Sequence, residues 1–171
     1  MSDNNTPAEP VPEELSIIVM SQNMDKALGS FIIATGASLM DVKVTMFFAF
    51  WGMNVVRREE HVSVKKDFMG KMFGWMMPRG AGKLKLSNMN MMGMGTSMMK
   101  GIMKKKNVMS LTQLIEIAQA DENINMVACE MSMDMMGIKK EELIDGVELG
   151  GVATFIAAAT SEGSKGTISF T

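Results

Sequence analysis

Short apolar runs alternate with segments of helical periodicity at the start of this chain. Residues 15–20 form an apolar, β-branched run that predicts a buried strand. Residues 26–40 carry apolar side chains at helical spacing, and residues 42–50 are apolar nearly throughout, which predicts a helix and a second buried strand. Strand, helix and strand in succession form a βαβ unit, which implies a parallel sheet covered on both faces.

The same alternation returns after residue 110. Ser110 is a good N-cap for a helix that reaches about residue 120. A third core strand over residues 123–128 ends at Cys129. The remaining predicted elements are helical turns at 131–136 and 140–144, a brief strand at 147–149, an alanine-rich helix at 151–161 and a strand at 166–170. We therefore predict a small doubly wound α/β domain with four to five mainly parallel strands flanked by helices.

The segment between these two halves has a different composition. Residues 65–75 allow a helix, whereas residues 76–107 are rich in Met, Lys and Gly and have no clean period. We predict an insertion there, partly helical over residues 97–105. Residues 1–14 contain three prolines and four acidic residues, which predicts a disordered tail before a single domain at residues 15–171.

Charge is unevenly distributed along the chain. Residues 57–106 hold twelve Lys or Arg and three Asp or Glu, although the whole chain has a net charge of −2. Such a block favours small anions, an acidic partner or an anionic surface, or is simply a solvated loop. Few aromatic residues are interleaved with it, so nucleic-acid binding is not predicted. The uncharged apolar run at residues 44–56 is too short to span a membrane, and we expect a cytoplasmic protein.

Candidate chemistry centres on Cys129, the single cysteine of the chain. At a strand-to-helix junction, backbone N–H groups and the helix dipole favour the reactive thiolate. Ligands of open parallel sheets bind at the carboxyl ends of the strands, where we also place Ser21, Gln22, Trp51 and Gly52. A lone cysteine in an apolar run is, however, usually an inert core residue.

Methionine is the strongest compositional anomaly, with 23 residues in the chain, seven of them within residues 89–103. Three interpretations stay open: core filling and oligomer contact, an adaptable docking surface, or thioether binding of Cu(I). Residues 79–84 (RGAGKL) resemble a phosphate-binding loop, but Leu84 stands where Ser or Thr must bind magnesium. With His61 as the only histidine, we predict neither a zinc site nor a cofactor.

Several motifs together resemble a known family. They are residues 16–19 (SIIV), 47–52 (FFAFWG), 89–95 (MNMMGMG), 128–137 (ACEMSMDMMG) and 150–155 (GGVATF). The chain resembles the DsrE/DsrF-like (TusD-like) sulfur-relay proteins, most closely the longer subgroup called DsrE2 or DsrE3. The resemblance implies a small α/β domain that forms homotrimers or related oligomers. It further implies that Cys129 carries sulfane sulfur, as a persulfide or thiosulfonate, to or from a TusA-like carrier protein, with thiosulfate as a candidate small anion.

We therefore predict a sulfur carrier or sulfurtransferase component rather than a turnover enzyme. One cysteine suits a carrier, because a second thiol nearby would release the sulfur by forming a disulfide. Contact with a membrane surface is compatible with this role but not required by it. The alternatives are a Met-rich Cu(I)-binding protein and a non-catalytic oligomeric subunit. The predicted sulfur-bearing residue is Cys129, and the predicted substrate-binding residues are Ser21, Gln22, Trp51, Gly52, Glu130, Met131, Lys100 and Lys104.

Overall fold

The computed structural model describes residues 13–64, 68–88 and 90–171. Most of the predicted N-terminal tail, residues 1–12, lies outside the described residues, as do Met89 of the methionine-rich segment and residues 65–67 of the candidate helix that follows the second strand.

In the part of the chain that the structure describes, five strands form one sheet in which every neighbouring pair is parallel. They are β1 (Glu14–Val19), β2 (Lys43–Phe48), β3 (Ile124–Cys129), β4 (Val147–Gly150) and β5 (Ser164–Phe170). Their spatial order is β4-β3-β2-β1-β5. Strands β2, β3 and β4 are thus added in succession on one side of β1, and β5 pairs with the other side of β1. This is a doubly wound α/β sheet, and the predicted fold class is confirmed.

Helices connect the strands. They are α1 (Met24–Ser38), α2 (Phe68–Met76), α3 (Met94–Lys105), α4 (Leu111–Ala120), α5 (Glu130–Met136) and α6 (Val152–Ala159). Short 3₁₀ turns lie at Phe50–Val55, Ala81–Lys83, Met91–Gly93 and Lys140–Glu142. None of the helices in the described ranges is both long enough and apolar enough to cross a bilayer.

Alternate residues of the strands build a large core on one face of the sheet, which we call the first face. It contains Ile17, Val19, Met46, Phe48 and Met126, all buried. Helices α1 and α4 cover this face and pack against each other. Because two helices seal it, the first face contains most of the buried apolar surface.

The opposite, or second, face has a thinner cover. Phe47, Ala49, Val127 and Cys129 form a separate buried cluster there. Helix α6 packs over them through Phe155, whose ring centroid lies 5.2 Å from that of Phe47. None of the residues of α6 is fully buried, so its outer side remains open.

Three predicted element boundaries change for local reasons. β2 ends at Phe48 rather than residue 50, because Phe50 has a left-handed φ of 47° and begins a 3₁₀ turn. α3 begins at Met94 rather than near residue 97, because Gly93, with φ 100°, turns the chain directly into it. Residues 140–144 form only the Lys140–Glu142 turn, since the chain is extended again at Leu143.

Candidate functional site at Cys129

Cys129 is the last residue of β3 and lies at the carboxyl edge of the sheet. Its backbone pairs with Gly150 of β4, and α5 begins at the next residue, Glu130. The predicted strand-to-helix junction is therefore present. Alternation along β3 directs the thiol to the second face, because Met126 and Ala128 occupy the first.

The thiol of Cys129 is buried in apolar surroundings. Phe47, Ala49 and Val127 pack in the same cluster, and Met20 and Phe155 are partly buried against it. Only 2 % of Cys129 is exposed to solvent. The cysteine is free rather than disulfide-bonded. Water and most reagents can reach Sγ only if part of this cover moves.

A glycine pair beside Cys129 leads into α6. A Cβ on Gly150 would lie 2.7 Å from Val127 Cγ1 and 3.0 Å from Thr154 Oγ1, so only glycine fits there without a shift. Gly151 is the N-cap of α6. Two helices therefore begin next to Cys129. These glycines are not among the site residues predicted from the sequence, although a Gly-Gly pair at the end of a predicted strand was a usable signal.

Four predicted site residues follow β1 and β2 at the same edge. The Gly52 N–H donates to the Met20 carbonyl oxygen at 3.1 Å, which ties the end of β2 to the end of β1. Trp51 beside it is about half exposed, whereas Ser21 Oγ accepts a hydrogen bond from the Asn23 N–H at 3.3 Å. The structure thus brings Ser21, Gln22, Trp51 and Gly52 to the edge that carries Cys129.

Gln22 begins a chain of hydrogen bonds that runs into the protein. Its Oε1 accepts from Asn54 Nδ2 at 2.8 Å, and Asn54 Oδ1 accepts from Arg57 Nη1 at 3.2 Å. Arg57 Nη2 donates to Glu142 Oε1 at 2.9 Å, and Arg79 Nη1 lies 3.3 Å from the same oxygen. Asn54, Arg57 and Glu142 are all buried. Burial lowers the pKa of the Arg57 guanidinium, and Glu142 opposes this shift.

The predicted lysines lie elsewhere. Lys100 Nζ donates to the Gly82 carbonyl oxygen at 2.7 Å. Lys100 and Lys104 line a cavity of about 380 Å³ together with residues of α1 and α4, on the first face of the sheet. Cys129 points to the second face, so the structure does not bring these lysines to the thiol. Glu130 and Met131 follow Cys129 directly, and both are exposed.

Zinc and similar metals are held in proteins by nitrogen, oxygen and thiolate donors of His, Asp, Glu and Cys side chains. Within the described ranges, no group of three or more His, Cys, Asp or Glu side chains is arranged to hold a metal ion. The carboxyl edge of the sheet carries the free, buried thiol of Cys129 next to the starts of α5 and α6.

A model of the DsrE/DsrF/DrsH-like family matches residues 12–164. The chain belongs to this family. The resemblance drawn from its motifs is thereby confirmed over nearly the whole chain.

Sequence comparison finds relatives that match most of this DsrE/DsrF/DrsH-like chain, and two of them are described here. It is 50% identical over 149 residues to the uncharacterized protein YrkE of Bacillus subtilis, covering 87% of this chain and 92% of that one. It is 36% identical over 151 residues to the sulfur carrier protein DsrE2 of Allochromatium vinosum, covering 86% and 92%.

Solved structures show the same fold at low sequence identity. The ychN protein of E. coli superposes with a TM-score of 0.57 at 14% identity, covering 92% of this chain and 99% of that one. MTH1491 of Methanobacterium thermoautotrophicum, a protein of unknown function, gives a TM-score of 0.51 at 14% identity, covering 91% and 97%. At sequence identities this low, the comparison with solved structures shows only which fold the DsrE/DsrF/DrsH-like chain has.

Proposed function

We propose that this protein is a cytoplasmic sulfur carrier or sulfurtransferase component that holds sulfane sulfur on Cys129 and exchanges it with a TusA-like carrier protein. The observation that carries this proposal is the position of the single cysteine at the carboxyl end of β3, a central strand of the parallel sheet. Membership of the family and 36% identity to a named sulfur carrier support it.

The transfer step requires one thiol on each protein. A persulfide on Cys129 carries the sulfane sulfur as its outer atom. The partner's thiolate attacks that atom, the S–S bond breaks, and Cys129 leaves as a thiolate while the partner becomes the persulfide. No electrons are gained or lost overall. Loading of Cys129 is the same exchange in reverse, or attack of its thiolate on the outer sulfur of thiosulfate with sulfite as the leaving group.

The surroundings of Cys129 suit a stored persulfide. Phe47, Ala49 and Val127 exclude water from the sulfur. A persulfide or thiosulfonate is anionic, and Cys129 is the N-cap residue of α5, whose start carries partial positive charge, although the Cys129 side chain makes no capping hydrogen bond. The lack of a second cysteine in the chain removes the internal thiol that would otherwise discharge it.

Access to the buried thiol requires movement of its cover, and α6 is the candidate. Val152 and Ile156 on its outer side are each 52% exposed. We propose that a partner or a second copy of the chain, in a homotrimer or a multiple of one, docks on this apolar side. A small displacement of Phe155 would then open Cys129. The candidate binding residues Gln22, Trp51, Glu130 and Met131 border the same edge.

The test is intact mass spectrometry of the purified protein after incubation with thiosulfate and, separately, with polysulfide. We expect a gain of about one or more sulfur atoms that reductant removes and that Cys129→Ser abolishes. Phe155→Ala should speed both loading and alkylation of Cys129. Phe68→Ala is the matched control, because Phe68 is exposed on α2.

A non-catalytic oligomeric subunit is the competing function, and the burial of Cys129 favours it. In that case neither sulfur source would add mass to the wild-type protein. Alkylation would also stay slow in Phe155→Ala, which would identify Cys129 as a structural core residue.

A further inference from the structure

Four methionine residues line one small pocket beside α3. The pocket has a volume of about 170 Å³. Its lining consists of Met91, Met94, Met98 and Met99 together with Leu86, Gly95 and Ile102. None of these side chains carries oxygen or nitrogen, so among the described residues of the lining the side-chain electron-pair donors are the four thioether sulfurs.

The backbone holds these methionines in a defined arrangement. Met94 and Met98 are one helical turn apart on the same side of α3, a spacing at which side chains meet. Met91 belongs to the preceding 3₁₀ turn, which is closed by the hydrogen bond from the Gly93 N–H to the Asn90 carbonyl oxygen at 2.7 Å.

Thr96 fixes this turn to the rest of the protein. Its Oγ1 donates to Asn90 Oδ1 at 2.9 Å and accepts from the Leu86 N–H at 3.1 Å. Thr96 is buried, so the connection between the turn, α3 and Leu86 is shielded from water. The sulfurs are therefore attached to a scaffold that is set before any ligand arrives.

Three of the lining methionines are more than half exposed, so burial of an apolar side chain does not explain why methionine is present there. Met91, Met94 and Met98 are each 62% to 67% exposed, where an apolar residue gains little from burial. A thioether is a neutral, soft donor that suits Cu(I) and is a poor ligand for magnesium or calcium. The two lysines nearest in sequence, Lys100 and Lys104, line the separate cavity formed with α1 and α4.

We propose that this pocket binds one Cu(I) ion through the thioether sulfurs of Met91, Met94 and Met98, with Met99 as a fourth donor. The site does not involve Cys129 and lies beyond the sulfur-carrier function. It is assembled from one continuous segment of the chain, so it requires no partner subunit.

The test uses the Cys129→Ser protein, so that no thiol competes for copper. Cu(I) is supplied under argon as its acetonitrile complex and is titrated against the chromophoric chelator bicinchoninate. We expect about one equivalent to be retained. Replacing Met91, Met94 and Met98 together with Leu keeps the side chains apolar and of similar size but removes sulfur, and should weaken binding at least tenfold.

Met131→Leu/Met135→Leu is the matched control. These two methionines are also exposed and one turn apart, but lie on α5. Their replacement should leave the copper affinity unchanged. Circular dichroism checks that each variant folds, and the three single Leu variants replace the triple if it does not.

Copper X-ray absorption then identifies the donor atoms. Coordination by sulfur alone agrees with the proposal. Retention of no copper by the Cys129→Ser protein would overturn it, as would equal affinity in the Leu variants, or nitrogen and oxygen donors in the spectrum. Because the sulfur-loading assay depends on Cys129 and this one excludes it, the two proposals fail separately.

Discussion

Glu142→Gln tests the buried ionic network most directly. The carboxylate of Glu142 is buried, and its Oε1 accepts from Arg57 at 2.9 Å and lies 3.3 Å from Arg79 Nη1. Its Oε2 accepts from the Lys139 N–H at 3.0 Å. Glutamine has one acceptor oxygen and no charge, so its NH₂ group must face either the guanidinium groups or the Lys139 N–H, both of which are donors.

The expected loss of stability is large for an isosteric change. Arg57 is fully buried, its Nε makes no hydrogen bond to any described residue, and its Nη1 donates only to the neutral side chain of Asn54. The carboxylate of Glu142 is therefore the group that balances the positive charge of this guanidinium. Removing one partner of a buried pair costs about 3–5 kcal/mol. With a urea m-value of about 2 kcal/mol/M, the unfolding midpoint should fall by roughly 1.5–2.5 M.

The assay is urea unfolding followed by circular dichroism. Glu141→Gln is the matched control, because Glu141 is the exposed neighbour on the same turn and its change should stay within about 0.5 kcal/mol. Arg57→Met/Glu142→Leu should recover most of the loss, since apolar residues of similar volume can replace a buried pair. Equal midpoints for Glu142→Gln and Glu141→Gln would refute the reasoning.

Two further predictions use other contacts. Gly52→Ala places a Cβ 2.0 Å from the Val19 carbonyl oxygen and should destabilise the protein by about 1–3 kcal/mol. Its control, Gly36→Ala, adds a Cβ that meets open space within α1 and should stabilise the protein by about 0.4–1 kcal/mol. Urea unfolding midpoints that move in the same direction for both variants would contradict this prediction. Burial raises the pKa of Asp25, but hydrogen bonds from the Ser87 N–H and Oγ at 2.8 and 2.6 Å lower it more, so the net pKa lies below 3.8. The stability that Asp25 contributes is therefore present above pH 3.8 and lost as pH falls through its folded value. Asp25→Asn should reduce the acid dependence of unfolding, and identical pH profiles for the two proteins would show that this contact is ineffective.

Elements with strong local signals could be predicted from the sequence. Ser110 was predicted as an N-cap, and the structure shows a capping box in which Ser110 Oγ accepts from the Gln113 N–H while Gln113 binds back. The apolar runs of β1 to β3 were found because strands buried on both faces are apolar along their length. The position of Cys129 at the end of β3 followed from the same pattern.

Features that depend on distant partners could not be predicted in this way. Arg57 was counted in a cationic block, yet it is buried against Glu142, 85 residues away in the chain. No local pattern pairs two such residues. Similarly, the period of α3 does not specify which face of the sheet the helix joins, so the placement of Lys100 and Lys104 away from Cys129 emerged only from tertiary packing.

The unequal cover of the two sheet faces makes the thiol of Cys129 a reporter of local opening. If α6 lifts without global unfolding, the observed alkylation rate equals the intrinsic rate of a free thiol multiplied by the equilibrium constant for opening. Each tenfold slowing then corresponds to about 1.4 kcal/mol of opening free energy. If Cys129 carries sulfur as proposed, the closed cover keeps that sulfur from oxidants at rest, and the binding energy of a partner shifts the opening equilibrium.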